Sequence, residues 1–155
     1  MTRFPDPDLD LTIARIIRAP RAAIWRAWTE PAAFARWWIP APIVCRVAAM
    51  EVTPGGALVT EMSEDGGPFV PHLSACYLAV DPLERIVFTN MLTGGWRPAE
   101  RGFMTAVITL RDHPDGTEYS AVAMHRSPAE RQKHEDMGFF DGWGTVTEQL
   151  ACLVE

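Results

Sequence analysis

The segment HRSPAERQKHEDMGFFDGWG, residues 125–144, gathers the groups of this chain best suited to chemistry. It carries His125 and His134, two of the four histidines, with Glu135 and Asp136 beside the second. Imidazole titrates near neutrality, so either histidine could act as general acid or base in a cavity. Metal binding is the other chemistry such a cluster suggests, and the spacing speaks against it. The two histidines stand nine residues apart. Helical metal sites place ligands three or four apart, and catalytic zinc asks for three protein ligands. His72 and His113 fall at strand ends or in loops, so no metal site is expected.

Ser127 is a poor nucleophile candidate. Ser127-Pro128-Ala129-Glu130 has the form of a capping box, with proline at the first helical position and glutamate three residues past the cap. A G-x-S-x-G elbow is absent. Cys45, Cys76 and Cys152 form no CxxC pair, which leaves a zinc or redox motif unsupported and fits small buried hydrophobes in a reducing cytoplasm. The glycine pairs at 55–56 and 66–67 are turn formers without the helix context of a phosphate loop, so no cofactor is expected.

Charge and hydropathy narrow the classes further. Fourteen basic against twenty acidic residues give a net charge of −6, and no basic stripe is visible for nucleic acid. No apolar run approaches the roughly 18–20 residues that span a bilayer. The first ten residues, MTRFPDPDLD, are polar and acidic, unlike a secretory signal, so a cytoplasmic protein is expected. With 155 residues and 48% hydrophobic composition, one domain over residues 1–155 with a sizeable core is expected.

The elements that must position the histidines can be read from periodicity. Residues 9–19 alternate as a strand, and two short helices follow, at Pro20 onward and over 29–38, the second capped by Thr29. Six further strand-like runs occupy 43–52, 57–63, 69–80, 85–92, 102–110 and 117–125, parted by turn residues. Hairpin-length connections make the sheet antiparallel. From Ser127 a helix runs to the C-terminus with a kink expected near Gly138, Gly142 or Gly144. Met137, Phe140, Trp143, Thr147, Leu150, Ala151 and Val154 form its apolar face. The reading is an α+β fold of about seven antiparallel strands covered by a long last helix.

Several blocks resemble a known family. ARIIRAPRAAIWRAWTEPAAFARWW is similar to the N-terminal signature of the SRPBCC (START-like) superfamily. MEVTPGGALVTEM, DPLERIVFTNML and GTEYSAVAMH are similar to its strand segments, and HEDMGFFDGWGTVTEQLACL to its last helix. Within it the chain most resembles the branch named for the C-terminal domain of the heat-shock protein 90 ATPase activator. The resemblance implies a helix-grip fold, its sheet curved around the last helix, with a deep apolar cavity between them for lipid- or polyketide-like ligands.

Strand alternation and the helix face supply a candidate lining. Phe88 and Asn90 share a strand face, as do Tyr119 and His125, while Met62, Met104 and Met137 offer adaptable apolar surface. Trp28, Trp37, Phe140 and Gly144 complete the candidate set, although packing is the ordinary role of a large aromatic. Trp96, in the turn TGGWRPAE, is a candidate lid or interface residue through which the chain could form a homodimer. Three functions remain open: a hydrophobic small-molecule binder, a cavity enzyme of cyclase, dehydratase or hydrolase type using His125 or His134, and a chaperone ATPase-associated domain.

Overall fold

The computed structural model describes residues 3–155, so the first two residues of the acidic N-terminal segment lie outside the described part. Strand β1 (Asp10–Ile17) leads into helices α1 (Arg21–Thr29) and α2 (Pro31–Phe34). Strands β2 (Val44–Met50), β3 (Ala57–Ser63), β4 (Val70–Asp81) and β5 (Arg85–Thr89) follow. After the short strands β6 (Leu92–Thr93) and β7 (Arg97–Pro98) come β8 (Thr105–His113) and β9 (Gly116–Met124). Helices α3 (Pro128–Asp136) and α4 (Phe139–Val154) close the chain.

Seven strands form one antiparallel sheet in the order β1-β9-β8-β5-β4-β3-β2. The register shifts between Val47 and Ala49, between Thr60 and Glu61, and between Tyr77 and Ala79. An extra residue on one strand of a pair bends it and increases local twist. Three such irregularities on one half of the sheet turn β2–β4 around the last helix. This is the expected α+β helix-grip fold. Among the described residues, no helix is long and apolar enough to cross a membrane.

The TGGWRPAE segment is more ordered than a plain turn. β6 and β7 pair around Gly94–Trp96, and the Gly95 N–H donates to the Gly55 carbonyl at 2.7 Å. Gly55 has φ +86, and a Cβ there would meet the Trp96 indole Nε1 at 2.6 Å. Only glycine serves where both the left-handed backbone and the close ring are required. Trp96 is 51% exposed and rests over this turn.

Two helical expectations are corrected. Thr29 does not cap α2: its hydroxyl donates back to the Trp25 carbonyl at 2.7 Å, and an extended Glu30 takes the cap position. The preceding turn of α1 lies within reach of the threonine hydroxyl and outcompetes the cap. The last helix is also two helices: at Gly138, the first of the expected kink positions, a left-handed φ of +95 parts it fully. The Ser127 hydroxyl accepts the Glu130 N–H at 3.2 Å, but the Glu130 carboxylate takes the Arg126 guanidinium at 3.0 Å, leaving a half-closed box. The left-handed residue breaks the helical phase. Phe139, Val146, Thr147, Leu150 and Ala151 therefore face the core, while Met137 (67%) and Phe140 (47%) are exposed.

Aromatics fill the space between the N-terminal helices and the sheet. Trp28 is fully buried, with ring centroids of Phe34, Trp37, Trp38 and Phe88 at 5.5, 4.9, 5.5 and 6.1 Å. The Trp37 indole N–H donates to the Ala27 carbonyl at 2.9 Å, so this tryptophan is satisfied as well as packed. Gln149 fastens α4 to the loop after α2. Its amide nitrogen donates to the Trp37 and Ile39 carbonyls, each at 2.9 Å, and its oxygen accepts the Ala41 N–H at 2.8 Å.

Candidate functional site

A cleft of about 370 Å³ lies where the N-terminal end of α4 meets the sheet. Leu73 on β4, Phe103 and Met104 ahead of β8, and Trp38 after α2 form its apolar walls. From the helical side come Phe139, Gly142, Trp143 and Val146. Farther along α4, Leu150 and Ala151 are fully buried. The deep chamber implied by the family resemblance is thus reduced to a cleft at one end of the grip, with Trp28 of α1, Phe34 of α2 and Trp37 and Trp38 of the loop after α2 packed into the core beside it.

Two histidines form the polar corner. His125 directly follows β9, and its Nδ1 lies 2.8 Å from the Leu9 carbonyl. Its Nε2 lies 2.8 Å from Nδ1 of His134 on α3. Both rings are buried, at 7% exposure each. A carbonyl only accepts, so His125 carries its proton on Nδ1 and, when neutral, offers a lone pair at Nε2. His134 must therefore donate from Nδ1, which leaves the His134 Nε2 as a lone-pair acceptor. That atom has no protein partner among the described residues and is not sealed from solvent. The His134 ring is clamped edge-on by Phe103 and Phe139, at centroid distances of 4.9 and 5.1 Å.

Asn90 supplies the second polar group. Its Oδ1 accepts the backbone N–H groups of Phe103 and Met104 at 2.9 and 3.1 Å. Two backbone donors force the oxygen to that side, so the Nδ2 amide is left for the cleft. His72, also on the wall, pairs its Nδ1 with the Thr60 hydroxyl at 2.9 Å.

Burial, with His125 as a second cause, pushes the His134 pKa down from 6.5 to about 4. Burial lowers His72 too. In the unfolded chain a histidine takes its proton near pH 6.5, while folded His134 resists until about pH 4. Between those values the unfolded state holds more protons, so stability falls as pH drops through that window and levels off below it. We expect a loss of at most about 3 kcal/mol from this residue, read from denaturant midpoints at stepped pH. His134→Asn should flatten much of the slope, leaving the His72 contribution; an unchanged slope would refute the assignment.

The structure sorts the sequence-derived candidates into three groups. Asn90, Met104, His134 and Met137 line the cleft. Trp28, Trp37, Phe88 and Tyr119 are core residues behind it, each at 1% exposure or less. Met62 is half-buried on β3, Phe140 points outward, Gly144 lies off the lining, and His125 reaches the cleft only through His134. Of the cysteines, Cys76 is buried and Cys45 half-buried, with its thiol pushed up to about 11 by burial. Cys152 is exposed, on the outer face of α4, and so departs from the buried role expected of all three.

Sequence reasoning missed Phe103 and Gly142. Phe103 falls in the expected strand run 102–110, where alternation sets it opposite Met104; β8 begins only at Thr105, and in the irregular stretch before it both residues line the cleft. Gly142 lies four residues past Gly138, and that spacing of small residues was a usable sign of open space beside the helix. An added Cβ at Gly142 would touch nothing within 4 Å.

Comparison with known proteins agrees with this architecture. Residues 18–155 match the family model described as Activator of Hsp90 ATPase homolog 1-like protein. A crystallised protein from Nitrosomonas europaea is 40% identical, with a TM-score of 0.86 over 96% of this chain and 95% of that one. One from Chromobacterium violaceum is 28% identical, with a TM-score of 0.73 over 94% and 97%. An AHSA1-like protein from Aeromonas hydrophila, 17% identical, shares the fold with a TM-score of 0.67 over 94% and 92%. No curated protein matches the chain. The family match over nearly the whole length, on a sheet that grips its last helix, means that the chain belongs to the Activator of Hsp90 ATPase homolog 1-like family of the SRPBCC superfamily.

Proposed function

We propose that this protein binds a hydrophobic, lipid- or polyketide-like small molecule in the cleft at the N-terminal end of α4. The observation that carries the reading is a mostly apolar hollow of about 370 Å³ with His134 Nε2 and Asn90 Nδ2 among its polar atoms, both held in place yet unpaired. Ligand sites are commonly of roughly 300–1,000 Å³, mostly apolar, with a few fixed polar groups. A ligand that binds the native state raises its stability by about 2.7 kcal/mol at a hundred times its Kd. A panel of apolar ligands should therefore contain members that raise Tm in a concentration-dependent way. The reading fails if none does and none survives with the folded protein in native mass spectrometry.

The histidine pair favours a second reading, a cavity enzyme in which His134 Nε2 takes a proton from the bound molecule. Turnover of a bound ligand, lost in His134→Asn, separates it from simple binding. The chaperone-associated reading draws its support from the family's name, and no residue of this cleft adds to it.

A further inference from the structure

Two unpaired polar atoms of the cleft, His134 Nε2 and Asn90 Nδ2, differ in kind, and the difference selects a ligand class; His72, on the β4 wall, leaves its Nε2 unpaired as well. His134 Nε2 is an acceptor, because the chain from the Leu9 carbonyl through His125 orients both rings. Asn90 Nδ2 is a donor, because the Phe103 and Met104 N–H groups hold its oxygen. The two are close neighbours in the fold. Asn90 holds the backbone of Phe103, and the Phe103 ring packs on His134.

Building on the binding function proposed above, we infer that the cleft takes an uncharged aromatic or polycyclic molecule bearing a phenol-type hydroxyl. The hydroxyl donates to His134 Nε2, and an oxygen of the same molecule accepts from Asn90 Nδ2. A carboxylate has no proton to give and would set its lone pairs against that of Nε2. An ammonium could donate, but the neighbouring hollow that shares the His134 wall carries Arg101, Arg126 and Lys133 against Glu100 and Glu130, a net positive surround. Leaving Nε2 unmatched under an apolar ligand costs its hydration, so the hydroxyl is selected beyond its own hydrogen bond.

Three probes of one ring size test this: 2-naphthol, 2-methoxynaphthalene and 2-naphthoate, titrated by calorimetry at pH 7.5 against the wild-type protein. Apolar transfer alone favours the methoxy compound, which has the extra methyl group. We expect the order reversed, with 2-naphthol bound about tenfold tighter than either competitor. In His134→Asn, whose side-chain amide is short enough to keep the bond to His125 but not to reach the cleft, the preference should fall to within about twofold. The wild-type comparison stands on its own if that variant misfolds. Equal binding of naphthol and its methyl ether, or tightest binding of naphthoate, overturns the inference while leaving an apolar site in place. If none of the three binds, the inference falls, and the apolar panel then decides whether the binding function falls with it.

Discussion

Trp28→Ala is expected to lower the unfolding free energy by about 3–5 kcal/mol, the largest single effect in the molecule. Trp28 is fully buried and meets four other aromatic rings, from α2, the loop after it and β5. Truncation to alanine removes the indole's transfer free energy and also leaves a cavity. The neighbours cannot collapse into it, because Trp37 is tied to the Ala27 carbonyl and its own carbonyl to Gln149 of α4. For a chain of this length, that loss corresponds to a fall in Tm on the order of 10 °C. Chemical denaturation with unchanged m would report it as stability. A loss below about 1 kcal/mol would mean that the aromatic cluster is not the anchor between the N-terminal helices and the sheet.

Gly142→Leu is expected to abolish ligand binding while the protein becomes more stable. Gly142 sits inside α4, lines the cleft, and has open space where a side chain would begin. Leucine is a far better helix former than glycine, by about 0.8 kcal/mol in a helix interior. Its side chain would enter the hollow between Phe139, Trp143 and the sheet and gain apolar contact there. Filling the site should erase the ligand-induced rise in Tm, and the unliganded protein should melt a few degrees higher. The opposing pair of signs is diagnostic, since a substitution that merely damages the fold lowers both quantities. If ligand still binds with parental affinity, the site lies elsewhere. The charged hollow around Arg101 and Lys133 would then be the next place to look.

These expectations depend on features of unequal visibility in the sequence. Strand alternation marked all seven strands of the main sheet, and the Ser-Pro-Ala-Glu box marked the start of α3 at Pro128. Asn90 stood out as a polar interruption of an apolar strand, and it does line the cleft. Periodicity failed where the chain leaves regular structure. Extending one helical phase across Gly138 assigned Phe140 to the core, whereas the left-handed turn there hands that place to Phe139. The same limit hid Phe103, which strand alternation set opposite Met104 although β8 begins only at Thr105 and both line the cleft.

The order of elements, the capping signals and the burial of most strand residues follow from local pattern, because side-chain direction repeats every two or 3.6 residues along a regular backbone. Which surfaces close on one another does not. The curvature arises from three register shifts between strands, each a property of a pair of strands. The hydrogen bond between His125 and His134 joins the residue after a strand to a neighbouring helix, and only then is one imidazole nitrogen of a cleft-lining residue left as an unpaired acceptor. Tautomer, pKa and the position of open space are set by neighbours distant in the chain, so the tertiary structure alone decided what this polar corner can recognise.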